Sequence, residues 1–287
     1  MQDVRTVAAL RAALAEARRA GKRIAFVPTM GNLHAGHRRL LVEARERADL
    51  VVASIYVNPL QFGANEDFGA YPRTPHTDRQ IAADARTDFL FMPTDAEIYP
   101  RGREQTTVVE VPGLGNSLCG MFRPGHFKGV TGVVARLFNM VMPDVALFGR
   151  KDYQQWRIIE RMAADLVLPI EIVGIETVRE PDGLAMSSRN GYLSAEERRI
   201  APRLYATLCA VRDTAAAGAD PREAERNAML SLSSAGFVPE YVAIRRQADL
   251  LPADGDDRHL VILAAARLGQ TRLIDNVEFE RFTRARR

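Results

Sequence analysis

The residues Phe26-Val27-Pro28-Thr29-Met30-Gly31-Asn32-Leu33-His34-Ala35-Gly36-His37 limit what this chain can fold into more than any other stretch. Apolar residues 24–27 predict a strand, which runs through a glycine-containing turn into two histidines three residues apart. These open a polar, Arg-rich helix that should end near Ala48. In parallel α/β sheets a strand feeding a helix N-terminus is a phosphate site, because free N–H groups and the helix dipole favour anions. Glycine at 31 and 36 allows close backbone approach. His34 and His37, at i and i+3, are expected on one helix face, from which imidazoles can donate to phosphoryl oxygens. The plainer reading is a capping histidine beside a solvated one.

The rest of the first half alternates strand and helix. Residues 4–20 predict an amphipathic helix with Gly21 as its C-cap, which argues against an Arg-rich transit segment because Asp3 and Glu16 interrupt it. Residues 50–57 form an apolar run suited to a strand buried on both faces, stopped at Asn58-Pro59. Pro72 and Pro75 mark a loop, 76–85 a helix, 89–92 a short strand, and 106–111 a further strand. A loop and helix follow over 125–142, then a strand over 145–148, a helix over 153–166 and a strand over 170–178. This is a doubly wound, Rossmann-like pattern.

Near residue 176 the character changes. Helices over 195–217 and 221–235 precede strands over 239–245, 259–266 and 271–277, so a smaller α+β domain is expected at 177–287, after a first domain at 1–176. Of 287 residues 47% are hydrophobic and 26% charged, and the formal charge is only +3, with acids and bases interspersed. That balance suits anionic small molecules and gives little reason for a nucleic-acid partner, the one basic cluster being the tail 281–287. Arg136 and Arg267 interrupt the best apolar runs short of the ~18 residues of a membrane span, so no membrane partner is expected. Cys119 and Cys209 are far apart without metal-ligand spacing, in keeping with a reducing cytoplasm.

Two further motifs carry charge toward phosphate. Gly149-Arg150-Lys151-Asp152 follows a strand, where Lys151 could act as a point charge, with Asp152 orienting it or meeting a metal; a surface ion pair is the alternative. Ser187-Ser188-Arg189 offers two hydroxyls and a guanidinium fork suited to a triphosphate.

Taken together, Pro28-Thr29-Met30-Gly31-Asn32-Leu33-His34-x-Gly36-His37, Ser54-Ile55-Tyr56-Val57-Asn58-Pro59-Leu60-Gln61-Phe62, Arg123-Pro124-Gly125-His126-Phe127, Gly149-x-Lys151-Asp152-Tyr153-Gln154-Gln155 and Met186-Ser187-Ser188-Arg189-Asn190 closely resemble the pantothenate synthetase, or pantoate-beta-alanine ligase, family. The match runs in order over nearly the whole chain; His-x-Gly-His alone would indicate only the nucleotidyltransferase superfamily shared with class I aminoacyl-tRNA synthetases. The resemblance implies condensation of (R)-pantoate with beta-alanine, with ATP cleaved to AMP and pyrophosphate through a pantoyl-adenylate. It implies ATP-binding roles for Met30, Gly31, Asn32, Leu33, His34, Ala35, Gly36 and His37, for Gly149, Arg150, Lys151 and Asp152, and for Val178, Met186, Ser187, Ser188 and Arg189. His37, His34, Lys151 and Arg189 are implied to be catalytic, with His37 the proton donor, and Gln61 and Gln155 to hold pantoate. It also implies Mg²⁺ held mainly by phosphate oxygens and water, a homodimer, a cytoplasmic enzyme, and a C-terminal domain that closes as a lid over the site. Arg150 stands where many relatives have Glu, and Cys119 aligns with a Glu, so Arg150 should tolerate substitution better than Lys151. A superfamily enzyme with another acceptor would give no reason for Gln61 and Gln155, and an ATP-holding sensor would release no pyrophosphate.

Overall fold

The computed structural model describes residues 1–64, 66–254 and 256–281; the basic tail noted above therefore lies, Arg281 apart, outside the described residues. Contacts divide the chain into two compact units, residues 1–150 with 155–176, and residues 151–154 with 177–287.

The first unit is built on six parallel strands in the order β1-β4-β3-β2-β5-β6. They are β1 (Gln2–Val4), β2 (Ile24–Thr29), β3 (Leu50–Ile55), β4 (Phe89–Phe91), β5 (Val145–Gly149) and β6 (Glu171–Ile175). The helices between them are α1 (Val7–Arg19), α2 (Ala35–Arg47), α3 (Pro75–Asp84), the short α4 (Asp95–Ile98) and α5 (Cys119–Phe122), α6 (His126–Val141) and α7 (Tyr153–Asp165). Burial on both faces explains the unbroken apolar runs of β2 and β3. On one face Val27, Val51, Leu90 and Leu147 pack on Leu40, Leu41 and Ala44 of α2 and Ala82 of α3. On the other, Phe138 of α6 meets the edges of Phe26 and Phe148.

The chain runs outward from β2 through β3 to β4, then crosses so that β5 lands on the other side of β2. The topological switch point therefore falls between β2 and β5, at their carboxyl ends. Pairing of β2 with β3 continues to Thr29 opposite Ile55, but on the β5 side it stops at Phe26. Pro28 has no N–H with which to extend that ladder.

Three sequence expectations change here. The first helix starts at Val7 with Thr6 as its cap, because Gln2–Val4 is spent on the edge strand β1. Residues 106–111 are not a strand. The carbonyls of Thr107 and Val109 accept from Arg136 and the Thr131 hydroxyl instead of a neighbouring strand. Residues 195–217 are two helices, since Pro202 interrupts the run.

The second unit holds α8 (Ala195–Ile200), α9 (Arg203–Ala216), α10 (Pro221–Ser234) and an antiparallel meander of β7 (Val238–Arg246), β8 (His259–Leu268) and β9 (Thr271–Glu280). Alternate residues of β8, Leu260, Ile262, Ala264 and Ala266, pack with Leu204, Leu208 and Val211 of α9 and Leu232 of α10.

Candidate nucleotide and carboxylate site

At the end of β2 the chain turns through Gly31 and Asn32, both at positive φ (81° and 49°). Asp78 of α3, 1% exposed, holds this turn. Its carboxylate accepts the N–H groups of Asn32 (3.1 Å) and Leu33 (2.7 Å) and the Thr74 hydroxyl (3.0 Å). Any side chain at 31 would also bring its Cβ to 3.0 Å from the Asp78 Oδ2, so glycine is required twice over. Thr29 completes the turn, donating to the Ser54 carbonyl (2.7 Å) and accepting from Gly31 N–H (3.2 Å).

His34 is not on the helix. Its backbone is extended (φ −133°) and it is the N-cap of α2, which corrects the expectation of two histidines on one helical face. The rings nonetheless meet, with centroids 4.2 Å apart. The Gly36 N–H donates to Nδ1 of His34 (3.1 Å), and the His34 N–H donates to Nδ1 of His37 (3.3 Å), closing a capping box built from two imidazoles. An Nδ1 that accepts carries no proton, so in both neutral rings the proton sits on Nε2, the form that donates to an oxyanion. Capping and chemistry are thus compatible, because the cap sets the tautomer. Gly36 is needed for the same contact: a Cβ there would lie 2.8 Å from His34 Cε1.

Beyond β3, a single 3-10 turn (Pro59–Gln61) carries Gln61. Gln61 is buried at 8% exposure. Asn58, 1% exposed, donates from Nδ2 to Gln61 Oε1 (3.2 Å) and to the Gly129 carbonyl (3.0 Å). The Gln61 Nε2 then lies 3.1 Å from the Met30 sulfur, which places Met30 and Gln61 side by side. The turn rides directly on α6 at Gly129, where a Cβ would overlap the Leu60 carbonyl.

The Gln61 main chain is fixed as well. Arg123 donates to Nε2 of His126 (2.9 Å), so His126 must donate from Nδ1 to the Gln61 carbonyl (2.8 Å). Arg123 in turn makes a two-pronged pair with Glu66 (2.7 and 2.5 Å). Burial acts to raise the Glu66 pKa, but the Arg123 hydrogen bonds and charge hold it below the ordinary glutamate value.

Gly149 ends β5 at the switch point, and Gln155 is half-buried at the start of α7. Arg150 turns toward β6, donating from Nε to the Gly174 carbonyl (3.1 Å) and lying 5.1 Å from the Trp156 ring centre.

The second unit carries the remaining residues. The Met186 N–H donates to the Val178 carbonyl (2.9 Å), and Arg179 bridges Ala185, so Val178 and Met186 face each other across a hairpin that turns at Gly183 (φ 91°). Next, Ser187 caps the short 3-10 segment Ser188–Tyr192, its hydroxyl accepting the Arg189 N–H (3.2 Å). That segment packs on β9. Lys151 reaches the same strand through its carbonyl, which accepts from Asn276 (3.0 Å), and Tyr153 donates to Glu278 (2.8 Å). The Lys151 Nζ is 3.9 Å from Asp152, a weak ion pair with Asp152 half-exposed.

The structure thus groups residues 30–37 with Gln61 in one unit, and Lys151, Val178 and residues 186–189 in the other. Sequence reading assigned no role to Asp78, Asn58, Tyr99, Glu66, Arg123 or His126. Asn58, Arg123 and His126 stood inside recognised motifs, whereas Asp78 acts on residues 45 and 46 positions away, beyond the reach of local pattern. Among the described residues no three His, Cys, Asp or Glu side chains are grouped to hold a metal ion, and no helix is long and apolar enough to cross a membrane.

A parallel sheet whose switch point presents two capping imidazoles at a helix N-terminus defines a Rossmann-like α/β protein, with the donor arrangement that suits an anion. Residues 2–278 match the model of the pantoate-beta-alanine ligase family. Pantothenate synthetase of Shewanella loihica is 53% identical over 281 residues, which cover 98% of this chain and 100% of that protein. The crystal structure of pantothenate synthetase from Thermus thermophilus superposes with a TM-score of 0.89 at 47% identity, over 96% of this chain and 99% of that one. A pantoate-beta-alanine ligase from Francisella tularensis, crystallised with beta-gamma ATP and beta-alanine, gives 0.82 at 31% identity, over 96% and 97%. This chain belongs to the pantoate-beta-alanine ligase family.

Proposed function

We propose that the protein condenses (R)-pantoate with beta-alanine at the expense of ATP, giving pantothenate, AMP and pyrophosphate. A free carboxylate is a poor acyl donor, so the carboxylate oxygen first attacks the α-phosphorus while the bond to the β-phosphate oxygen breaks. The amine of beta-alanine then attacks the acyl carbon, the bond to AMP breaks, and the amine loses a proton. Neither cysteine is needed. Catalysis rests on holding the reactants in line and on stabilising charge at the phosphates.

In this reading His34 and His37 donate from Nε2 to phosphoryl oxygens, His37 serving as the proton donor, while Met30, Gly31, Asn32, Leu33, Ala35 and Gly36 form the backbone wall beside the nucleotide. Gly149, Arg150, Asp152, Val178 and Met186 belong to the same ATP-binding set. Lys151 neutralises phosphate, and Ser187, Ser188 and Arg189 bind the triphosphate until pyrophosphate leaves. Gln61 and Gln155 hold pantoate. Mg²⁺ enters with ATP, coordinated by phosphate oxygens and water. The first unit is proposed to bind ATP and pantoate, the second to act as its lid, and the enzyme to work as a cytoplasmic homodimer.

The observation that carries the proposal is the set of oriented donors at the switch point: two Nδ1 atoms that accept backbone N–H groups, and a buried amide whose carbonyl end is occupied. These bonds make Nε2 of each ring and the NH₂ of Gln61 the donor ends, which in this reading meet the anionic substrates. Incubating the purified protein with ATP, Mg²⁺, pantoate and beta-alanine should give equal amounts of pantothenate and AMP by mass spectrometry. ADP with phosphate, or no pantoate-dependent pyrophosphate, would refute it.

A further inference from the structure

Gln61 can in principle offer either end of its amide, and which end it offers decides what it can recognise. The choice is made outside the site. Tyr99, 4% exposed, follows α4 and lies with its hydroxyl 2.7 Å from Oδ1 of Asn58. Burial pushes the Tyr99 phenol up to about 12, so it stays protonated and must donate to this oxygen. With Oδ1 filled by Tyr99 and by the Leu60 N–H (3.3 Å), Asn58 turns its NH₂ toward Gln61 Oε1 and the Gly129 carbonyl. The Gln61 carbonyl is thereby turned to Asn58, and its NH₂ is the end turned to Met30 at the close of β2.

We infer that Tyr99 is a positioning residue for substrate recognition: through Asn58 it locks Gln61 as a donor, so that Gln61 selects a carboxylate or hydroxyl oxygen and rejects an ammonium. This rests on the proposed role of Gln61 in holding pantoate. It narrows that role, because beta-alanine presents a cation that a donor-only amide cannot serve. The Leu60 and Gly129 contacts also orient Asn58, so loss of the Tyr99 hydroxyl should weaken the lock without abolishing it. Its effect should be that of one buried hydrogen bond, about fivefold in affinity.

The test is a double-mutant cycle read by calorimetric titration of pantoate in the presence of a non-hydrolysable ATP analogue, which needs no turnover. Tyr99→Phe should weaken pantoate binding about fivefold. In steady-state assays its KM for pantoate should rise by a similar factor, while the KM values for ATP and beta-alanine stay within twofold of the parent. In a Gln61→Ala background Tyr99→Phe should add nothing. Unchanged pantoate binding in Tyr99→Phe, with Gln61→Ala impaired, would overturn the inference. So would losses that multiply in the double variant, because Tyr99 would then act through general packing. Normal pantoate binding by Gln61→Ala would instead overturn the assignment of Gln61 itself.

Discussion

The turn that carries the histidines and the segment that carries Ser187, Ser188 and Arg189 are held by different means. The first is wired from a distance, by a buried carboxylate on α3 and a buried amide network around Gln61. The second draws hydrogen bonds from nearby in sequence, a hairpin that joins Val178 to Met186 and one hydroxyl that accepts its neighbour's N–H, and it packs on β9. The contrast teaches that in the first unit stability and donor geometry share the same bonds, whereas the Ser187 hydroxyl makes one cap bond whose loss should cost folding little.

The largest effect should come from His37, where both functions meet. His37→Ala should lower kcat about 10³-fold, a typical loss for a general acid. His37→Gln keeps a side chain that can close the capping box, and so should regain thermal stability but not turnover. Recovery of activity with Gln would show that the ring serves only as a cap. Next, Lys151→Ala should slow single-turnover formation of the adenylate about 10²-fold with an unchanged melting curve. Arg150→Ala should stay within about fivefold, since its guanidinium is engaged with the Gly174 carbonyl and Trp156.

Stability measurements sharpen the comparison further. Asp78→Ala strips partners from two N–H groups and a hydroxyl, and should cost about 3 kcal/mol in urea unfolding. Ser187→Ala removes one capping bond in a half-buried segment and should cost no more than about 1 kcal/mol. Equal losses would erase the distinction between remote and local wiring.

The smallest effect concerns Glu66. Its pKa is depressed in the folded state, so its pair with Arg123 contributes stability above the ordinary glutamate range, and that stability is lost as pH falls through the lower folded value. Glu66→Gln should therefore narrow the stability difference from the parent below about pH 4 and leave it constant between about pH 6 and 8.

What could be read from sequence follows the same division. The strands β2, β3 and β5 and the glycine at 31 were legible, because burial on both faces and a turn at positive φ leave a local mark. β1 was not, since three residues are too few to show a period, and its pairing with β4 lies far along the chain. Residues 106–111 looked like a strand because Thr and Val run together there, yet their carbonyls bond to side chains of α6. His34 looked helical because spacing alone cannot tell an N-cap from the first turn. Asp78 and Tyr99 gave no signal, because what they do depends on residues brought close only by folding, and Asn58 stood in a motif that did not reveal its part in orienting Gln61.

The reaction course itself can be followed with one labelled atom. With pantoate carrying ¹⁸O in its carboxylate, the proposed attack on the α-phosphorus leaves one labelled oxygen on AMP, so mass spectrometry should find AMP heavier by one ¹⁸O substitution for each pantothenate formed. Unlabelled AMP alongside labelled pantothenate would contradict activation of pantoate as an adenylate.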